Sequence, residues 1–210
     1  ISEIPEFAFY KHDDEIGINL YNPAHFNTTI AEEPVIMKII SAFPCDNSLE
    51  IVVEPEKNAS FTLSLRVPDW TNNFTAKVGN KTYKGKPGKY LKINRKWQKG
   101  DKIDVLMNFP VKVLSGGQSY PDHYAIKYGP QVLAVDADVN EPDNLDNVVF
   151  HKKSKTNIKP HKGKMPENWV GKQSFVSNAV KTKSGRKVVL VPFSDASQTG
   201  GDMRVWIKGD

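Results

Sequence analysis

FTLSLRV, Phe61 to Val67, puts Phe61, Leu63, Leu65 and Val67 on one side and Thr62, Ser64 and Arg66 on the other. Successive side chains of a strand point to opposite faces, so this period of two reads as a half-buried antiparallel strand. Short apolar or alternating runs recur before and after it, among them FAFY, IGINLY, VIMKII, SLEIVV, KIDVLM, QVLAVD, RKVVLVPF and MRVWI. Gly, Pro, Asn and Asp separate them. About a dozen runs, at roughly 8–12-residue spacing, point to a sandwich or barrel. No window carries a 3.6-residue stripe of helical length. The expected fold is all-β: an antiparallel β-sandwich of jelly-roll type, as one sandwich or two packed sandwich subdomains.

Residues 1–139 are expected to form the main sandwich. The rhythm breaks over 140–174, where NEPDNLDN and HKKSKTNIKPHKGKMPENWVGK are polar and rich in Pro and Gly. A loop of that length is unusual inside a compact domain, so a surface excursion or linker is expected. Residues 175–210 then supply late strands that complete the first sandwich or form a second small sheet. FVSNAVKTKSGRKVVLVPF, Phe175 to Phe193, reads as a hairpin turning at Ser184-Gly185. YLKINRKWQKGDKIDVLMNFP, Tyr90 to Pro110, reads as another, with its turn near Gly100-Asp101.

At 210 residues the chain can bury a sizeable core as one large or two small domains. No apolar run approaches the length of a membrane-spanning helix, and no membrane partner is expected. The opening ISEIPEFAFY has neither a basic start nor a long apolar stretch, so no signal peptide is expected there. The single cysteine, Cys45, excludes an internal disulfide and a cysteine metal cluster, which suits the cytoplasm and a disulfide-free secreted protein equally.

The net charge of +5 is uneven. Between His151 and Lys187, ten Lys and one Arg face a single acid, Glu167, so this segment carries +10 and the remainder about −5. Such a patch suits a polyanion. The segment holds no recognition-helix pattern, zinc spacing or RNA-binding motif. A solvated basic loop is the preferred reading, with no nucleic-acid partner.

Chemistry-bearing residues are sparse. KHDDE, Lys11 to Glu15, gathers three acids where a hairpin turn belongs, without the spaced ligands of a calcium loop. His151 and His161 match no zinc spacing. Cys45 has no predictable partner base. The sequons at Asn27, Asn58, Asn73 and Asn80 matter only in a eukaryotic secretory protein. No catalytic site is recognisable from spacing. The aromatics remain: Trp70, Tyr90, Trp97, Tyr120, Tyr124, Trp169 and Trp206 can offer a flat face to a sugar ring. Trp70, Trp97 and Tyr90 are the candidate carbohydrate contacts. Core packing is favoured for Trp97 and Trp206, which adjoin strands, whereas Trp70 follows a Pro-Asp turn and is evenly poised.

HDDEIGINLYNPAHF, LSLRVPDW, GKYLKINRKWQKGDKIDV, YAIKYGPQVLAVD and VPFSDA…MRVWI occur in an order that resembles the region after the catalytic barrel in glycoside hydrolase family 127. These are the β-L-arabinofuranosidase-type enzymes. The likeness runs over most of the chain and is weakest over 140–174. It implies β-sandwich domains partnered by an (α/α)6 barrel that holds a zinc-bound cysteine nucleophile and glutamates. Cys45 matches none of the family's catalytic cysteines, so the resemblance implies no catalytic residue, zinc or other cofactor in this chain. It implies a non-catalytic accessory region of a bacterial, periplasmic or extracellular enzyme acting on L-arabinofuranosides or similar plant glycans. On that reading Tyr90–Pro110 is framework, with Trp97 closing the sandwich end or leaning on a neighbouring domain. The alternatives are an independent carbohydrate-binding module, which needs exposed Trp70 and Trp97, and a polyanion-binding module built on Lys152–Lys187.

Overall fold

A computed structural model describes residues 7–140 and 145–210. The first six residues, where no signal peptide is expected, and Pro142 with its neighbours in the expected loop, lie outside the described residues. The chain divides into two compact units, residues 1–109 and 110–210. Both are all-β, and the described residues contain only short 3-10 turns besides strands.

The first unit holds β1 (Phe9–His12), β2 (Glu15–Ile18), β3 (Ala24–Ile30), β4 (Glu33–Ser41) and β5 (Ser48–Pro55). It continues with β6 (Ala59–Arg66), β7 (Phe74–Val78), β8 (Lys81–Gly85), β9 (Tyr90–Trp97) and β10 (Asp101–Met107). They form a four-stranded sheet, β1-β2-β6-β9, and a six-stranded sheet, β3-β4-β5-β10-β7-β8. Pairing is antiparallel except between β2 and β6, which run parallel. The KHDDE segment is the expected hairpin turn, with Asp13 at φ 47° between β1 and β2.

Alternation builds the sandwich interior. On β6, Phe61, Leu63 and Leu65 are buried, and on β10 so are Ile103, Val105 and Met107. Each fully buried Leu or Ile contributes about 1.5–3 kcal/mol relative to an exposed one. The sheets meet through aromatic contacts such as Phe9 of β1 on Phe26 of β3, with ring centroids 4.7 Å apart. Tyr21, between β2 and β3, donates from its hydroxyl to the Arg66 carbonyl oxygen at 2.6 Å.

Tyr90–Pro110 is not a hairpin. β9 pairs with β6 from Ala59↔Trp97 to Arg66↔Tyr90, while β10 lies between β5 and β7 in the other sheet. The turn at Gly100 (φ 85°) therefore carries the chain across the core from one sheet to the other. Its ends are tied by the Asp101 N–H to the Gln98 carbonyl oxygen, and by the Gly100 N–H to the Val53 carbonyl oxygen. Two apolar faces separated by a tight turn look alike in sequence whether the strands pair or face each other across a core.

The second unit holds β11 (Val111–Ser115), β12 (His123–Tyr128), β13 (Gln131–Asp136), β14 (Val148–Phe150) and β15 (Lys159–Pro160). It ends with β16 (Phe175–Thr182), β17 (Lys187–Pro192), β18 (Met203–Arg204) and β19 (Ile207–Lys208). The sheet runs β11-β12-β13-β17-β16-β14, with β15 on β16, β18 on β13 and β19 on β12. A bridge from Phe150 to Gly209, just after β19, brings the far end back towards β12, so the sheet curls almost into a closed ring. Its interior includes Leu133, Val135, Val180 and Leu190. β16 and β17 form the expected hairpin, with Gly185 at φ 87° and a register shift between Val176 and Lys181. Asn140 braces β17: its side-chain amide accepts from the Val189 N–H at 2.7 Å and donates to the Val189 carbonyl oxygen at 2.9 Å.

The division therefore falls after Phe109 instead of after residue 139. β11, β12 and β13 read as part of the first sandwich because their alternation is the same, yet they pair with β17 and β19. Residues 175–210 belong to a second sheet, and the polar stretch before them is an excursion within that sheet, touching down as β14 and β15.

Candidate functional sites

In the first unit, the outer face of the four-stranded sheet carries a polar network. Pairing places Tyr10 opposite Gly17, and Ser64 between Gly17 and Lys92. Gly17 leaves room for the Tyr10 ring: a Cβ there would lie 1.7 Å from a ring carbon. Tyr10 donates from its hydroxyl to Glu15 at 2.6 Å, and Lys92 Nζ donates to the other Glu15 oxygen at 2.7 Å. Tyr90 meets the Tyr10 ring edge-on and donates to Asn19. Hydrogen bonds from Lys92 and Tyr10 pull the Glu15 pKa down to about 2. Burial and the Glu15 carboxylate push Tyr10 up to about 12. At neutral pH the carboxylate is thus ionised and the phenol neutral, each far from a pKa useful for proton transfer. The network is charge-balanced structure. It covers Ser64, which is buried although it lies on the strand's polar face.

The candidate aromatics of this unit separate. Trp97 is fully buried, tilted against Phe61, and its indole N–H donates to the Phe61 carbonyl oxygen at 3.0 Å. It is core, and no sugar can reach it. Trp70 is half-buried in a cluster with Phe43 and Phe109, its ring centroid 5.5 Å from that of Phe109. Tyr90 is 42% exposed, but its hydroxyl is committed to Asn19. The structure does not assemble the three into one platform: Trp97 faces the interior, whereas Tyr90 stands on the outer face of the same strand.

The second unit contains a cavity of about 920 Å³ that no spacing pattern announced. Its walls come from the loop before β12 (Tyr120), the start of β12 (His123), β14 (Val148, Val149), the β16–β17 turn (Lys183) and the β18–β19 segment (Met203 to Trp206). The Tyr120 and Trp206 rings stack at 5.4 Å, 12° from parallel. His123 Nδ1 lies 2.7 Å from the Pro121 carbonyl oxygen, which fixes that ring's proton on Nδ1 when neutral. Arg204 pairs with Asp146 at 2.9 Å and donates to the Leu145 carbonyl oxygen. A signal did exist: Trp206 closes a run with Met203 and Arg204, and Tyr120 sits beside His123. Eighty-odd residues separate the two halves, and only the curl of the sheet joins them.

Among the described residues no group of three or more His, Cys, Asp or Glu is placed to hold a metal ion. No described helix is long and apolar enough to cross a membrane. Cys45 is exposed in the turn before β5.

Residues 15–110 match the family described as "Beta-L-arabinofuranosidase, GH127 middle domain". This stretch of the chain is thus similar to a GH127 middle domain. Its limits follow the first unit closely, from β2 to just past β10. Solved structures extend the likeness in fold to nearly the whole chain. A GH127 β-L-arabinofuranosidase from Geobacillus stearothermophilus T6 superposes with a TM-score of 0.79 at 20% identity, over 98% of this chain and 35% of that one. A second GH127 β-arabinofuranosidase gives 0.78 at 18% identity, over 97% and 36%. A structure described only as a glycoside hydrolase gives 0.76 at 20%, over 96% and 37%. The chain thus spans little more than a third of the length of these relatives. Comparison with curated proteins gave no match. The matched stretch contains Trp70, Tyr90 and Trp97, and the aromatic cavity lies beyond it, in residues the family match does not reach.

Proposed function

We propose that this chain is a non-catalytic β-sandwich region of a glycoside hydrolase acting on L-arabinofuranosides or related plant glycans. Hydrolysis is the work of an (α/α)6 barrel outside this sequence, and any zinc the reaction uses belongs to that barrel. The observation that carries this reading is the match of residues 15–110 to a middle domain, in a chain that spans about a third of the GH127 enzymes sharing its fold. The chemistry of the first unit supports it. Trp97 is locked inside the sandwich, and Glu15, whose pKa is pulled down to about 2, is held ionised by Lys92 and Tyr10. A glycosidase needs a group kept protonated near neutral pH to serve as its acid, and a carboxylate held ionised cannot be that group. The first unit's task is then to bury a core and present stable outer faces for a neighbouring domain.

The test is an assay of the purified 210-residue chain with 4-nitrophenyl β-L-arabinofuranoside, with and without added zinc. The expected rate is that of buffer alone. Nitrophenolate release that co-purifies with the folded chain would overturn the assignment.

A further inference from the structure

We propose that the cavity of the second unit binds an acidic saccharide, a sugar ring bearing a carboxylate, with Trp206 as the stacking face. Three observations converge. The cavity, about 920 Å³, falls within the range of small-molecule sites, roughly 300–1,000 Å³. One wall is aromatic: Tyr120 stacks against Trp206 at 5.4 Å and holds the indole in a fixed orientation, so that it can meet the apolar C–H face of a ring without first being ordered. The charge is one-sided. Lys183, Arg204 and Lys208 line the cavity against the single carboxylate of Asp146. Asp146 is paired with Arg204 at 2.9 Å, and Lys183 and Lys208 enter no ion pair among the described residues. Uncompensated cations beside a concave apolar surface concentrate anions there.

A flat apolar wall with cations beside it fits a ring that is apolar on one face and anionic at its edge. A free inorganic anion would use the lysines and ignore the indole. A neutral sugar would use the indole and ignore the lysines. The choice of a saccharide over other ringed anions rests on the carbohydrate role proposed above; the site itself does not.

The experiment is calorimetric titration of the full chain with trigalacturonate, its fully methyl-esterified form, and adenosine monophosphate, at low and moderate salt. Trigalacturonate should bind saturably and weaken as salt rises. Esterification, which keeps the rings and removes the charge, should weaken binding about tenfold, as should Trp206→Ala. Lys183→Gln and Lys208→Gln should each weaken it a few-fold. If Trp206→Ala does not fold by circular dichroism, the Lys183→Gln/Lys208→Gln pair carries the test. No heat from a folded sample overturns the proposal, as does equal affinity for the ester or an affinity unchanged in these variants. Tighter binding of the nucleotide overturns the saccharide and keeps an anion site. Failure here leaves the hydrolysis assay untouched, and turnover in that assay leaves this site standing, so the two readings fail separately.

Discussion

Trp97 and Trp206 occupy similar sequence settings, each in or beside a strand flanked by basic residues, and the two units use them in opposite ways. Trp97 ends β9 on its inward face, fully buried with its N–H bonded to the Phe61 carbonyl oxygen. Trp206 lies between two two-residue strands, half-buried, and lines a cavity together with Tyr120. Strand length makes the difference. An eight-residue strand paired along its whole length fixes every side chain to one face or the other. The β18–β19 segment pairs for only two residues at each end, so the intervening side chains are free to line a concavity. Long pairing makes core, and short pairing makes walls.

The largest expected effect tests that contrast directly. Trp97→Ala should destabilise the first unit by about 3–5 kcal/mol, because it removes a fully buried indole together with its hydrogen bond to the Phe61 carbonyl oxygen and leaves a cavity. Trp206→Ala should cost about 1 kcal/mol, the ordinary size for a half-exposed site. Urea denaturation followed by circular dichroism measures both. Equal losses would show that Trp206 is a core residue and would remove the contrast.

A smaller effect sharpens the account of the first unit. Gly17→Ala places a methyl group 1.7 Å from the Tyr10 ring and should cost about 1–3 kcal/mol as the ring is forced off its site. With Tyr10→Ala already present, that same methyl group meets empty space. The double variant should then be more stable than the two single losses predict, by at least about 0.5 kcal/mol. Strict additivity would mean that the ring does not sit over Gly17.

What the sequence revealed follows the same division. The all-β class, the β1–β2 turn at Asp13 and the β16–β17 hairpin were legible because each depends on local alternation and turn residues. Which strands share a sheet was not legible. β9 and β10 show the alternation of a hairpin but sit in opposite sheets, and β11 to β13 show the alternation of the first sandwich but pair in the second unit. Period and turn type report which face is buried; they carry no information on the partner strand. The candidate residues fared likewise. The preference for core at Trp97 holds because its strand has a clear inner face. The cavity escaped notice because Tyr120 and Trp206 come together only through β12–β19 pairing.

The smallest effect concerns acid, and it separates the network on the four-stranded sheet from the core beneath it. Glu15 titrates near 2 in the folded chain, against about 4.5 when its partners are lost. A depressed carboxylate stabilises the fold fully above its unfolded pKa and loses that contribution as pH falls through the folded one. Stability should therefore decline between about pH 4.5 and pH 2, and Glu15→Gln should flatten that part of the curve while leaving stability near pH 7 modestly lower. Tyr10 acts at the other end. Its pKa is raised to about 12 from 10, so its contribution is complete below pH 10 and fades as pH climbs towards 12. Because Glu15 is among the causes that raise Tyr10, Glu15→Gln should also soften the alkaline limb. Thermal melts from pH 2 to 12 read both limbs in one series. A variant that flattens only the acid limb would show that burial alone holds the phenol neutral.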